Sequence, residues 1–127
     1  MSKGFPSHPA SSGAARRLVD RALTHLDDET RGLATLLTSE IVTNALIHGR
    51  APVSVTALWS AVAVRVEVTD EGAQMPVRLA AGPDARQGRG LLIVEALAQR
   101  WGAERLASGG KVVWFELSPD RAEGAVV

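Results

Sequence analysis

The chain has 127 residues, 46% of them apolar, enough to bury one core without staples, and no cysteine, which excludes disulfides and thiolate metal sites. Fourteen Lys and Arg balance fourteen Asp and Glu, and no basic cluster or aromatic platform supplies the footprint of a nucleic-acid binder. The start lacks an apolar run of signal-peptide length, and stretches such as Leu91 to Val94 fall far short of the roughly 20 residues that span a bilayer, so one cytoplasmic domain is expected, with neither nucleic acid nor membrane as a partner.

Residues 1–13 carry Ser, Pro and Gly with little periodicity and read as a flexible N-terminal arm. Ala15, Leu18, Val19, Ala22, Leu23 and Leu26 then recur at helical spacing, which predicts an amphipathic helix over 14–26 with Arg16, Arg17, Asp20 and Arg21 on its other face. A second helix is predicted from Glu29 to His48, capped by Asp27 or Asp28 and stopped by Gly49 in a left-handed C-terminal cap, with Pro52 just beyond. Val53 to Trp59 and Ala61 to Thr69 read as antiparallel strands, the second alternating Val62, Val64, Val66 and Val68 with Ala63, Arg65, Glu67 and Thr69. Glu71 to Gly88 has no sustained period and contains Gly72, Pro76, Gly82 and Pro83, so it reads as a long functional or mobile loop. A third helix, Leu91 to Arg100, is entered through Gly88-Arg89-Gly90. Trp101 to Leu106 and Lys111 to Leu117 form a last strand pair around Ser108-Gly109-Gly110, and residues 119–127 are a tail. The order of elements over 14–118 predicts an α+β two-layer sandwich, a mostly antiparallel mixed sheet with helices gathered on one face.

Three polar residues break this pattern. Glu40 and Asn44 stand one turn apart on the helical arc that holds Leu33, Leu36, Leu37, Ile41 and Ile47, so both are expected to face inward. Burying an unpartnered carboxylate is costly, so this helix either supplies buried hydrogen bonds or lines a cavity with a polar occupant. Asp70 continues the inward parity of its strand; by itself an Asp-x-Gly is also a turn closing on backbone amides with Gly72. Gly88 and Gly90, at a helix start, offer unhindered N–H groups to phosphate oxygens or simply end a loop. Gly109-Gly110-Lys111-Val112 has no Ser or Thr for a metal and is not a Walker motif.

Glu40-Ile-Val-Thr-Asn44-Ala-Leu-Ile-His48-Gly49, Asp70-Glu-Gly72 and Gly88-Arg-Gly90-Leu91, in that order, resemble the N, G1 and G2 boxes of the GHKL ATPases. Within that superfamily, the small size and the Asn-Ala-x-x-His-Gly phrase resemble single-domain anti-sigma-factor serine kinases. The Gly-Gly-Lys-x-Val-Trp-Phe ending is similar to their actinobacterial relatives. The resemblance implies ATP and Mg²⁺ as cofactors, Glu40 as general base, Asn44 as a magnesium ligand and Asp70 as acceptor for the adenine amino group. It implies that Gly72 lets the base approach, that Gly88, Gly90 and Leu91 hold phosphates through backbone N–H groups, and that Arg86 or Arg89 adds charge. It also implies a sigma factor and an anti-sigma antagonist as partners, with a homodimer as an option. The expected function is an ATP-binding anti-sigma factor that phosphorylates its antagonist on serine. The alternative is an ATP-binding or nucleotide-free interaction module without kinase activity, motivated by two departures: Gln74 replaces the second Gly of Asp-x-Gly-x-Gly, and Val112 replaces the Thr of Gly-Gly-Lys-Thr. His48 is expected to be structural, and His8 and His25 suggest no metal site.

Overall fold

A computed structural model describes residues 1–8, 10–72 and 93–118. The chain order is β1 (Ser2–Phe5), α1 (Ala10–Ala22), α2 (Asp28–His48), β2 (Val53–Trp59), β3 (Val64–Asp70), β4 (Arg100–Arg105) and β5 (Lys111–Leu117). Residues 93–97 are also helical, with Ala98 N–H donating to Val94 O at 2.8 Å. The five strands form one sheet in the order β1-β2-β3-β5-β4, and every pairing is antiparallel. The expected α+β sandwich is what forms, with the sheet antiparallel throughout among the described residues rather than mixed.

The core follows from strand alternation. Val53, Val55 and Ala57 of β2, Val64, Val66 and Val68 of β3, and Val113, Phe115 and Leu117 of β5 are all buried on one face. On that face α2 lies across β2, β3 and β5 with α1 packed along it, so Ala34, Leu37, Ile41, Val42 and Ala45 meet Val19 and Leu23 within a single core. The opposite face is polar: Arg65 bonds Glu67 at 2.8 Å and Glu116 at 2.7 Å, and its guanidinium lies 4.1 Å from the centre of the Trp114 ring. Burial opposes the charge on Arg65, but those two carboxylates outweigh it and hold the group above its ordinary value.

Several boundaries differ from the sequence reading. Residues 1–13 are not an arm: they contain β1 and the first turn of α1. Only Phe5 of β1 is buried, so the strand has no periodicity to detect. Its order comes from backbone pairing with β2, extended by the Met1 ammonium on Ala57 O at 3.0 Å. The start of α1 at Ala10, rather than Ala14, is set by His8, whose Nδ1 accepts from the Ala10 N–H at 3.0 Å. Helix α2 is capped by Asp27, which accepts from the Thr30 N–H at 2.8 Å, an interaction worth about 1 kcal/mol. Strand β3 starts at Val64, with Val62 exposed before it, and Arg100, expected to end a helix, instead begins β4. The tail at 119–127 and the loop from residue 73 onward lie outside the described residues.

If β1 is part of the core, Phe5→Ala should cost about 3 kcal/mol in urea denaturation. A loss under about 0.5 kcal/mol, as at an exposed site, would return these residues to the status of an arm.

Candidate functional site

The site begins at the end of the sheet where β3 and β5 run out of apolar residues. Asp70 closes β3 and Lys111 opens β5, and the register sets them directly opposite each other on the inner face. Both are buried, at 1% and 3% exposure. Asp70 Oδ1 accepts from the Gly72 N–H at 2.6 Å, Lys111 Nζ at 3.0 Å and the Arg50 N–H at 3.2 Å. Oδ2 lies 2.9 Å from the same ammonium as an ion pair, yet outside hydrogen-bond geometry, and among the described residues it is a buried acceptor with no hydrogen-bond partner.

Glycines make room for this carboxylate. A Cβ on Gly49 would lie 2.5 Å from Asp70 Cγ and 2.5 Å from Ala45 O, and one on Gly110 would lie 2.3 Å from Asp70 O. Gly49 has φ −93°, so it is not the left-handed cap expected from the sequence; its N–H simply closes the last turn of α2 on Ala45 O at 2.8 Å. The residue is small because Asp70 packs on it. At Gly72 the backbone N–H holds the carboxylate, and a Cβ there would meet Asp70 Oδ1 at 2.9 Å. The turn geometry that a lone Asp-x-Gly suggests is therefore present, together with an ion pair.

Glu40 and Asn44 lie upstream on α2, about two and a half and one and a half turns before Gly49. Both are half-buried, and their side chains make no hydrogen bond or ion pair among the described residues. The buried arc of α2 runs through Thr30, Ala34, Leu37, Thr38, Ile41, Val42 and Ala45. It is rotated from the expected arc because α2 packs against α1 as well as the sheet. Glu40 and Asn44 therefore border the core rather than enter it, on a flank that also carries the exposed Leu36 and Ile47. Gly88, Arg89, Gly90, Leu91, Arg86 and Gln74 lie outside the described residues. Val112, on the polar sheet face, is half-buried opposite Thr69.

Sequence reasoning missed Lys111. The signal was there: Lys111 shares the parity of Val113, Phe115 and Leu117, as Asp70 shares that of Val64, Val66 and Val68. Of the histidines, His8 caps α1, His25 lies against Trp59 with ring centres 5.6 Å apart, and His48 ends α2 exposed. Ser7, His8, Ser12, Thr43, Leu46 and Ile47 line a groove of about 430 Å³ that includes none of the candidate residues among those described. No group of three or more His, Cys, Asp or Glu suited to a metal ion occurs among the described residues. None of the described helices is long and apolar enough to cross a membrane.

An antiparallel sheet covered on one face, with a cradled inward carboxylate at its end and polar side chains on the covering helix that have no partner among the described residues, defines an α+β sandwich domain with a candidate polar site at the helix–sheet boundary. The chain belongs to the histidine kinase-like ATPase domain family, whose model matches residues 5–117. This places it in the GHKL-type superfamily of ATP-binding domains, as the three sequence boxes led us to expect. No match is found among curated proteins.

The packing around Asp70 predicts unequal responses at two glycines of the same helix region. Gly49→Ala should lose about 1–3 kcal/mol in thermal or urea denaturation, because its Cβ meets backbone and a buried carboxylate. Gly32→Ala, at an exposed helical position with nothing within 4 Å of the new Cβ, should gain about 0.5–1 kcal/mol.

Proposed function

We propose that the protein is an ATP-dependent protein-serine kinase that acts as an anti-sigma factor, with Asp70 reading the adenine base and Glu40 serving as general base. The observation that carries this reading is the combination of Asp70 Oδ2, a buried acceptor with no hydrogen-bond partner among the described residues, with the Glu40 and Asn44 side chains upstream on α2, which have no partner among the described residues. Glu40 and Gly49 are separated by roughly 13 Å of helical rise, a span suited to a nucleotide laid along the helix. Asp70 fits the base because adenine presents an amino donor where guanine presents a carbonyl, and an ionised carboxylate only accepts.

Asn44 fits Mg²⁺ as a single amide oxygen, since that ion prefers oxygen ligands and keeps water and phosphates for the rest of its shell. ATP with its metal would supply an activated γ-phosphoryl group when bound, and Glu40 would take the proton of the partner's serine hydroxyl as that oxygen displaced ADP from the γ-phosphorus to give phosphoserine. By the family resemblance, Gly88, Gly90 and Leu91 would hold phosphates through N–H groups, Gly72 would let the base approach, and Arg86 or Arg89 would add charge. A sigma factor and its antagonist remain the proposed partners by family analogy, with a homodimer as an option and the cytoplasm as the proposed compartment.

One observation favours a second reading, an interaction module that does without nucleotide: Lys111 already neutralises Asp70, and Oδ1 is fully used by internal donors. Labelled ATP, Mg²⁺ and a candidate serine-bearing antagonist separate the two. The kinase reading expects Glu40→Gln to bind ATP within about twofold of the native protein while transfer falls a hundredfold or more. It expects Asp70→Asn to weaken ATP binding. Transfer that Glu40→Gln leaves unchanged would sink the mechanism, and ATP binding indifferent to Asp70→Asn would sink the adenine contact.

A further inference from the structure

We propose that Lys111 is the residue that makes Asp70 a selective acceptor for the 6-amino group of adenine, acting through the carboxylate as a positioning residue; the inference rests on the nucleotide reading above. Lys3 and Lys111 are the only lysines in the sequence, and Lys111 is the one whose ammonium is buried. Its position on the inner face of β5 continues the series Val113, Phe115 and Leu117, where a further valine would pack without desolvating a charge. A buried ion pair gains little or no stability over apolar side chains of similar volume, so stability alone does not account for it. What the pair does supply is a carboxylate of fixed charge and fixed orientation.

The charge comes first. An enclosed charge without a counter-ion is costly, and a neutral carboxyl would carry an O–H donor of its own where a carboxylate only accepts. Lys111 sets its ammonium 2.9 and 3.0 Å from the two oxygens of Asp70, and a carboxylate only accepts. The orientation follows from which oxygen is used. Lys111 Nζ joins the Gly72 and Arg50 N–H groups on Oδ1, and all three hydrogen bonds converge there. The remaining hydrogen-bond capacity lies on Oδ2, which the ammonium faces at 2.9 Å as an ion pair and which has no hydrogen-bond partner among the described residues. The close contact of Gly110 with Asp70 O seats the preceding hairpin turn tightly enough for Lys111 to enter opposite the carboxylate.

Isothermal titration calorimetry of the full chain with ATP and with purine riboside triphosphate, which lacks the 6-amino group, tests this. A hydrogen bond from that group to a charged acceptor should make the native protein prefer ATP by about ten- to a hundredfold. Lys111→Met should bring the two affinities to within about threefold, while Lys111→Arg, which keeps the charge, should retain most of the preference. If Lys111→Met fails to fold by circular dichroism, Lys111→Gln keeps a donor on Oδ1 without the charge and should lose the preference in the same way. A lysine with a merely structural role would weaken both nucleotides by the same factor, so an unchanged ratio in a folded Met or Gln variant overturns the proposal while leaving ATP binding intact. A native protein that binds no ATP overturns the nucleotide reading itself, and this inference with it.

Discussion

A carboxylate buried at the end of a sheet must be neutralised and hydrogen-bonded, or it will not stay both buried and charged. In this protein that constraint falls on Asp70, and much of the local architecture answers it. Lys111 provides the charge across the β3–β5 register, and the backbone beyond α2 and β3 provides two N–H donors from Arg50 and Gly72. The strands can meet at this point only because Gly49 and Gly110 carry no Cβ to collide with Asp70. Three segments far apart in sequence, the end of α2, the end of β3 and the last hairpin, are thereby joined at one carboxylate.

This explains why the short phrases His48-Gly49, Asp70-x-Gly72 and Gly109-Gly110-Lys111 occur together in one chain. Each is weak alone, since glycine next to a helix end, an Asp-x-Gly turn and a glycine hairpin are all common devices. Here they are parts of a single packing arrangement, with Gly109 at φ 101° turning the hairpin and Gly110 seating it. The Asp-x-Gly turn and the inward carboxylate are the same object: the turn amide occupies Oδ1, and Oδ2 is what the arrangement leaves over.

The helix α2 divides its surface between two tasks. Its broad buried arc joins α1 to the sheet, which is why Thr30, Thr38 and Ala34 are as enclosed as Leu37 and Ile41. Glu40 and Asn44 stand at the border of that arc, where side chains are held by neighbours on one side and open on the other. Such a border suits polar groups that act on a ligand, because packing limits their rotamers without removing all their solvent access.

The sequence by itself determined the elements with strong periodicity: α2 with a cap at Asp27 or Asp28, the Val-rich strands, the sandwich architecture and the inward parity of Asp70. Alternation and helical spacing are local properties, and local properties are written along the chain. It also held the three boxes that led to the family, because backbone turns require particular residue types at fixed offsets. What only the tertiary structure decided was everything that depends on which elements meet. Strand β1 has one buried residue and is ordered by its partner, so it left no periodic trace. The face of α2 that is buried depends on α1 as well as on the sheet, so the inward arc could not be placed from α2 alone. The role of Lys111 depends on β5 pairing with β3 in one register, and the smallness of Gly49 on a carboxylate some twenty residues away. Pairing across the chain is set by the free energy of the whole core, and no single segment carries it.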